Sequence, residues 1–160
     1  MASTTFSGPV TSTAGFISGS DSLVSVAADV TLTSASHAGR TMVLDIASGA
    51  TVTLPAASGT GNVYKFFVAT TVTSNDYIIQ VANASDTMAG MAIVANDGGA
   101  TASIFETAAD SDTITMDGST TGGILGAQVE IQDVASNVFS VVVRSAATGT
   151  EATPFSAAVS

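Results

Sequence analysis

His37 is the only histidine and lies in Ser34-Ala-Ser-His-Ala-Gly-Arg40, so Ser-His-Asp hydrolytic chemistry would have to be built on it. Ser34 or Ser36 would be the nucleophile, and Asp29 or Asp45 the carboxylate. That chemistry needs a serine on a strained turn, a base in reach and an oxyanion hole, and no G-x-S-x-G motif is present. With 21 Ser and 10 Asp in the chain, such neighbours of a histidine follow from composition alone, and a turn histidine is expected. Asp110-Ser-Asp112 followed by Asp117-Gly118 is the other cluster of note, because hard cations take several oxygen ligands from loop carboxylates. It lacks the alternating acids of an EF-hand loop, and position 12 from Asp110 is Thr121 where that loop has Glu. Asp112 and Asp117 also flank a strand, which separates them by about 15 Å at a rise near 3.3 Å per residue. Asp110, Asp112 and Asp117 are therefore weak metal candidates, expected instead to solvate strand ends.

Three further patterns carry less chemistry. Gly118-Ser-Thr-Thr-Gly-Gly-Ile-Leu-Gly126 has no Lys-[Ser/Thr] ending and no following helix to cradle a phosphate, so it reads as a flexible connection. Asn83-Ala-Ser85 matches a glycosylation sequon, but no basic and apolar leader begins the chain to accompany it. Glu106, Glu130 and Glu151 with the aspartates are the stock for paired acid–base chemistry, and Glu130, between Val129 and Ile131, is expected to face outward. No catalytic residue and no cofactor is assigned.

Composition narrows the field. There is no Cys, which removes disulfides, thiolate nucleophiles and zinc–thiolate sites. Three Lys+Arg against 13 Asp+Glu give a formal net charge of −10, which does not suit a phosphate backbone, so no nucleic-acid partner is expected. Polar residues interrupt every apolar run well short of the roughly 20 residues of a membrane helix, and no membrane partner is expected. The 27 Ala, 15 Gly, 21 Ser and 23 Thr exceed half the chain and hint at disorder, but 46% apolar residues and a mean hydropathy of +0.48 argue against it.

The elements follow from periodicity. Val30-Thr-Leu32, Val52-Thr-Leu54 and Ile114-Thr-Met116 each put two apolar side chains on one face and a threonine on the other, as in a strand buried on one side. Strands are expected near 23–26, 29–33, 41–46, 50–54, 62–69, 76–82, 90–95, 101–106, 112–116, 124–132 and 137–144, separated by Gly/Asn/Asp/Ser turns. A short helical turn is open around Ala84–Ala92, and the lack of a fixed 20–50-residue repeat speaks against a solenoid. The expected fold is all-β: a β-sandwich or jelly-roll-like domain of many short antiparallel strands, with extended N- and C-terminal arms. The N-terminal arm would span 1–20, the domain 21–146 and the C-terminal arm 147–160.

The expected core draws on Leu32, Val43, Leu44, Ile46, Val52, Leu54, Tyr64, Phe66, Val68, Ile79, Val81, Ile93, Ile104, Ile114, Ile124, Val129, Ile131, Phe139, Val141 and Val143. Val63–Val68 and Val138–Val143 are apolar on both faces, so these strands are either central in a sandwich or packed on another subunit. The unpaired acids, Asp21, Asp76, Asp97, Asp110 and Asp117 among them, are expected to form a solvated acidic rim.

Three stretches taken together resemble virion surface proteins of tailed bacteriophages of marine type, most of all capsid decoration (cement) proteins. They are Phe6-Ser-Gly-Pro-Val10 with Gly15-Phe-Ile17; the series Asp29–Thr33, Gly39–Thr41, Gly49–Ala56, Gly61 and Tyr64–Phe66; and Asp112–Gly118, Val129–Ile131 and Thr148–Phe155. The resemblance implies a non-enzymatic structural protein, often a homotrimer, that binds the outside of the major capsid protein lattice. It implies a place on the virion capsid surface after synthesis in the host cytoplasm, with no signal peptide. Phe6, Pro9, Val10, Phe16, Ile17, Pro154 and Phe155 in the arms are the candidate capsid or oligomer contacts. The alternative is a tail-fibre or receptor-binding module that recognises host-surface glycans, which would need exposed aromatic rings for sugars to stack on.

Overall fold

A computed structural model describes Ser7 and residues 23–159 of the chain. The period-two segments do become strands: β1 (Leu23–Val26), β2 (Val30–Thr31), β3 (Thr41–Leu44), β4 (Ala50–Thr53), β5 (Val63–Val68) and β6 (Tyr77–Gln80). They continue as β7 (Thr87–Ala95), β8 (Ala102–Glu106), β9 (Thr113–Met116), β10 (Gln128–Ala135), β11 (Val138–Ala146) and β12 (Phe155–Ser156). The one helical turn among the described residues, α1, covers Ser34–His37. The segment Ala84–Ala92, where a helical turn was open, instead runs from a turn into β7, whose Met88, Ala92 and Val94 are buried on one side.

Two sheets form the domain, which is an all-β sandwich. One has seven strands in the order β1-β3-β5-β10-β11-β7-β8, and the other five in the order β12-β9-β6-β4-β2. Their facing sides supply the core, with Tyr64, Tyr77, Phe139, Met42, Leu44, Leu54, Ile79, Ile114 and Ile131 among its most buried side chains.

The strand directions correct the antiparallel expectation. β1–β3, β3–β5, β2–β4, β4–β6 and β7–β11 are parallel, and the other five pairings are antiparallel. From β1 to β6 the chain alternates between the sheets and winds like a short solenoid. Leu23 pairs with Thr41 and Thr41 with Lys65, whereas Val30 pairs with Val52 and Val52 with Ile79. These offsets run from 18 to 27 residues, so the winding leaves no fixed repeat in the sequence.

Two further expectations change. Val43, Ile93 and Ile104, expected in the core, lie on the outer face. Val43 is half-buried there because Met42 and Leu44 hold the inward phase of β3. Ile93 and Ile104 are 39% and 65% exposed, with Met88, Ala92 and Val94 holding the inward phase of β7. Ile124 is half-buried in a turn before β10, where its carbonyl accepts the Ala127 N–H at 3.0 Å. The Gly-rich stretch is pinned. Gly118 has φ +77°, and a β-carbon there would stand 1.9 Å from the Val72 carbonyl oxygen, so only glycine fits.

Candidate interaction surface

The residues with chemical potential are used for architecture. His37 Nδ1 lies 3.0 Å from the Thr33 nitrogen and accepts its N–H, back over its own helical turn, with the residue half-buried. Ser34 Oγ is 3.2 Å from the Tyr64 hydroxyl, Asp29 accepts the Thr51 N–H at 2.8 Å, and Asp45 accepts the Thr70 hydroxyl. The hydrogen bonds of the would-be triad thus lead to four separate partners. Asn83 of the sequon donates to Asp86 at 2.8 Å and accepts the Ser85 N–H.

Nor do the three aspartates of the weak cation cluster converge. Among the described residues, no three His, Cys, Asp or Glu side chains are grouped to share a metal. Asp110 is exposed, while Asp112 is 4% exposed, which corrects its expected place at a solvated strand end. Its carboxylate accepts the Ala158 N–H at 2.8 Å, the Val159 N–H at 3.1 Å and the Thr113 hydroxyl at 2.7 Å. Asp117 takes the N–H groups of Ser119 and Thr121 and the hydroxyl of Thr120. Burial would raise its carboxyl, but those donors together hold it below the usual carboxylate range.

Sequence reasoning missed two buried acids. Asp133 continues the inward phase of Val129 and Ile131 and so points into the sandwich end, 3% exposed. It accepts the N–H groups of Ser58, Gly59 and Thr60 at 3.0, 2.7 and 3.0 Å and the Thr60 hydroxyl at 2.6 Å. Desolvation pushes its carboxyl up, and the bonds from Thr60, Gly59 and Ser58 outweigh that and set it below its ordinary value. Asp86, 1% exposed, accepts the Ala57 N–H at 2.9 Å. Between them these acids tie residues 57–60 to the turn before β7 and to strand β10. The alternation V-x-I-x-D in β10 was the available signal for Asp133. Asp86 had none. The expected acidic rim is therefore partial: Asp97 and Asp110 are exposed, but Asp86, Asp112 and Asp133 are interior.

The arm candidates divide. Phe6, Pro9, Val10, Phe16 and Ile17 lie outside the described residues. Pro154 and Phe155 are buried on the chain's own second sheet: β12 pairs Phe155 with Ile114, and the Pro154 carbonyl accepts the Thr115 N–H at 2.8 Å. The expected C-terminal arm thus returns to the domain as an edge strand.

What the fold leaves outside is asymmetric. The five-stranded sheet carries Thr31, Thr53, Gln80, Thr113 and Ser156 along one row of its outer side, polar throughout although Thr113 is itself buried. The seven-stranded sheet presents Leu23, Val43, Phe67, Val142, Met91, Ile93 and Ile104, interrupted by Lys65, Glu130, Gln128 and Arg144. A groove of about 470 Å³ lies on this face, bordered by Leu23, Val43, Lys65, Phe67, Glu130 and Arg144. Two of the chain's three cations are on it. Lys65 meets Glu130 at 3.7 Å with both half-exposed, a pair worth little by itself. The double-sided strands β5 and β11 are thus central in their sheet, and their second face looks outward.

No protein family, no curated protein and no solved structure matches the chain.

Proposed function

We propose that the protein is a non-enzymatic virion structural protein that decorates and stabilises a phage capsid by binding the outside of the major capsid protein lattice. It would be made in the host cytoplasm and end on the capsid surface, assembled with copies of itself, three in number by the resemblance. One observation carries the reading. The interior acids and hydroxyls that could have served chemistry are bound to backbone N–H groups and neighbouring hydroxyls that pin loops, and among the described residues no buried side-chain nitrogen or oxygen lacks a partner. Such a body is rigid and weakly reactive, which suits a part whose task is to hold a lattice. The phenylalanines and Ile17 that precede Leu23 in sequence would supply extended contacts to the capsid, repeated at many lattice sites so that modest affinities add.

The tail-fibre alternative draws no support from the two tyrosines. Tyr64 and Tyr77 are 2% and 0% exposed, so neither offers a ring to a sugar. An electron-microscopy map of the particle that carries this chain tests the proposal. Density for the sandwich on the outer capsid surface is expected; density confined to the tail would overturn it.

A further inference from the structure

We propose that the outer face of the seven-stranded sheet is covered by the same face of a second copy of the chain, related by a two-fold axis that runs along the strands between β10 and β11. The register supplies the argument. Read across the sheet from β3 to β8, one outward row is Val43, Phe67, Gln128, Arg144, Ile93, Ile104. Its pattern is apolar, apolar, polar, then polar, apolar, apolar: a palindrome about the β10–β11 boundary.

A two-fold axis at that boundary lays β5 on the second copy's β7 and β3 on its β8. Phe67 then meets Ile93, Val43 meets Ile104, and Gln128 meets Arg144, each contact made twice, as an isologous interface requires. The sheets would stack with strands aligned, the ordinary packing of two β faces.

Charge agrees with the same axis. The neighbouring outward row is Thr41, Lys65, Glu130, Val142, Met91, Glu106. Folding it on itself sets Thr41 against Glu106, Lys65 against Met91 and Glu130 against Val142, so that the Lys65 ammonium stands over a thioether with the second copy's Glu106 carboxylate beside it. Arg144, which has no carboxylate partner among the described residues, comes within one pleat of the second copy's Glu130. On a chain of net charge −10, most surfaces would repel a second copy; this one carries two of the three cations.

The size is sufficient. The two copies overlap over the six strands from β3 to β8, with β1 beyond the overlap. At about 4.8 Å spacing and some 20 Å of strand length these give about 580 Å² of flat face per copy, a corrugated surface that approaches the roughly 800 Å² of accessible surface per partner that stable interfaces bury. Met91, Ile93 and Ile104, at 44%, 39% and 65% exposure, are the side chains with most to gain from cover. The pairing does not depend on the virion reading. It specifies two copies where the resemblance implies three.

Sedimentation of the full chain tests it. A dimer is expected, and Ile93→Lys with Ile104→Lys should raise the concentration needed for dimerisation by at least tenfold, about 1.4 kcal/mol, with the circular dichroism unchanged. The absence of native cysteine permits a second arm. Mixed Val43→Cys and Ile104→Cys chains, treated with a short bis-maleimide, should give the crossed dimer in preference to either self-linked product. A monomer at every concentration would overturn the proposal and point to the face being covered within the chain. A trimer indifferent to the lysine substitutions, or a dimer without the crossed product, would also overturn it.

Discussion

Asp133 shows how a single side chain can decide a loop. A carboxylate in the inward column of β10 is costly to desolvate, and it is held there because three backbone N–H groups and one hydroxyl converge on it. Asp133→Asn removes the charge from bonds that residues 58–60 make with nothing else of comparable strength, and a loss of about 2–3 kcal/mol is expected in urea denaturation. The pH dependence has a definite sign. The unfolded carboxyl titrates near 3.8 and the folded one lower, so the folded state holds fewer protons between those values. The stabilisation is therefore complete above the unfolded value and disappears as pH falls through the folded one. Thermal midpoints taken from neutral pH down to about pH 2 should fall more gently in Asp133→Asn than in the parent. An equal acid slope in both proteins would show that Asp133 does not carry this dependence. The inward place of Asp133 was legible in the phase of Val129 and Ile131. Its partners, more than 70 positions away, were not.

At the scale of elements, β12 is the instructive case. Two residues of strand are too few to announce themselves by periodicity, and Thr148–Phe155 reads as a tail. The segment is nevertheless latched by Phe155 against the core, by the Pro154 carbonyl on Thr115 and by Asp112 on the Ala158 and Val159 N–H groups. Phe155→Ala should cost about 3 kcal/mol through the lost burial and the cavity it leaves. Hydrogen exchange should then quicken at residues 154–159 before the central strands β5 and β10 are affected. Uniform acceleration throughout the domain would mean that β12 is part of the global cooperative unit and no separable latch. The other expected strands were legible because period two survives in short segments. Which way each runs was not, since parallel and antiparallel neighbours impose the same alternation.

For the whole molecule, the dominant fact is thirteen acids with three cations and one ion pair among the described residues. Three acids are interior, and the other acids among the described residues are partly or fully exposed and repel one another. Salt shortens the Debye length from about 30 Å at 0.01 M to about 3 Å at 1 M. The thermal midpoint should accordingly rise with sodium chloride over that range, at constant protein concentration. A fall would show that specific pairs such as Lys65–Glu130 outweigh the general repulsion. The same repulsion makes face-to-face pairing selective for the one surface that carries Lys65 and Arg144.

The amino-acid sequence by itself determined the class of fold, the strand positions and most of the core, because alternation, β-branched content and turn residues are local properties. It also ruled out thiolate chemistry by composition. Only the tertiary structure decided that the first six strands wind between two sheets, that Asp86 and Asp133 clamp one loop, and that Ile93 and Ile104 face outward. Those outcomes depend on which strands become neighbours. Neighbours separated by 18 to 75 residues leave no spacing that a reading along the chain can detect.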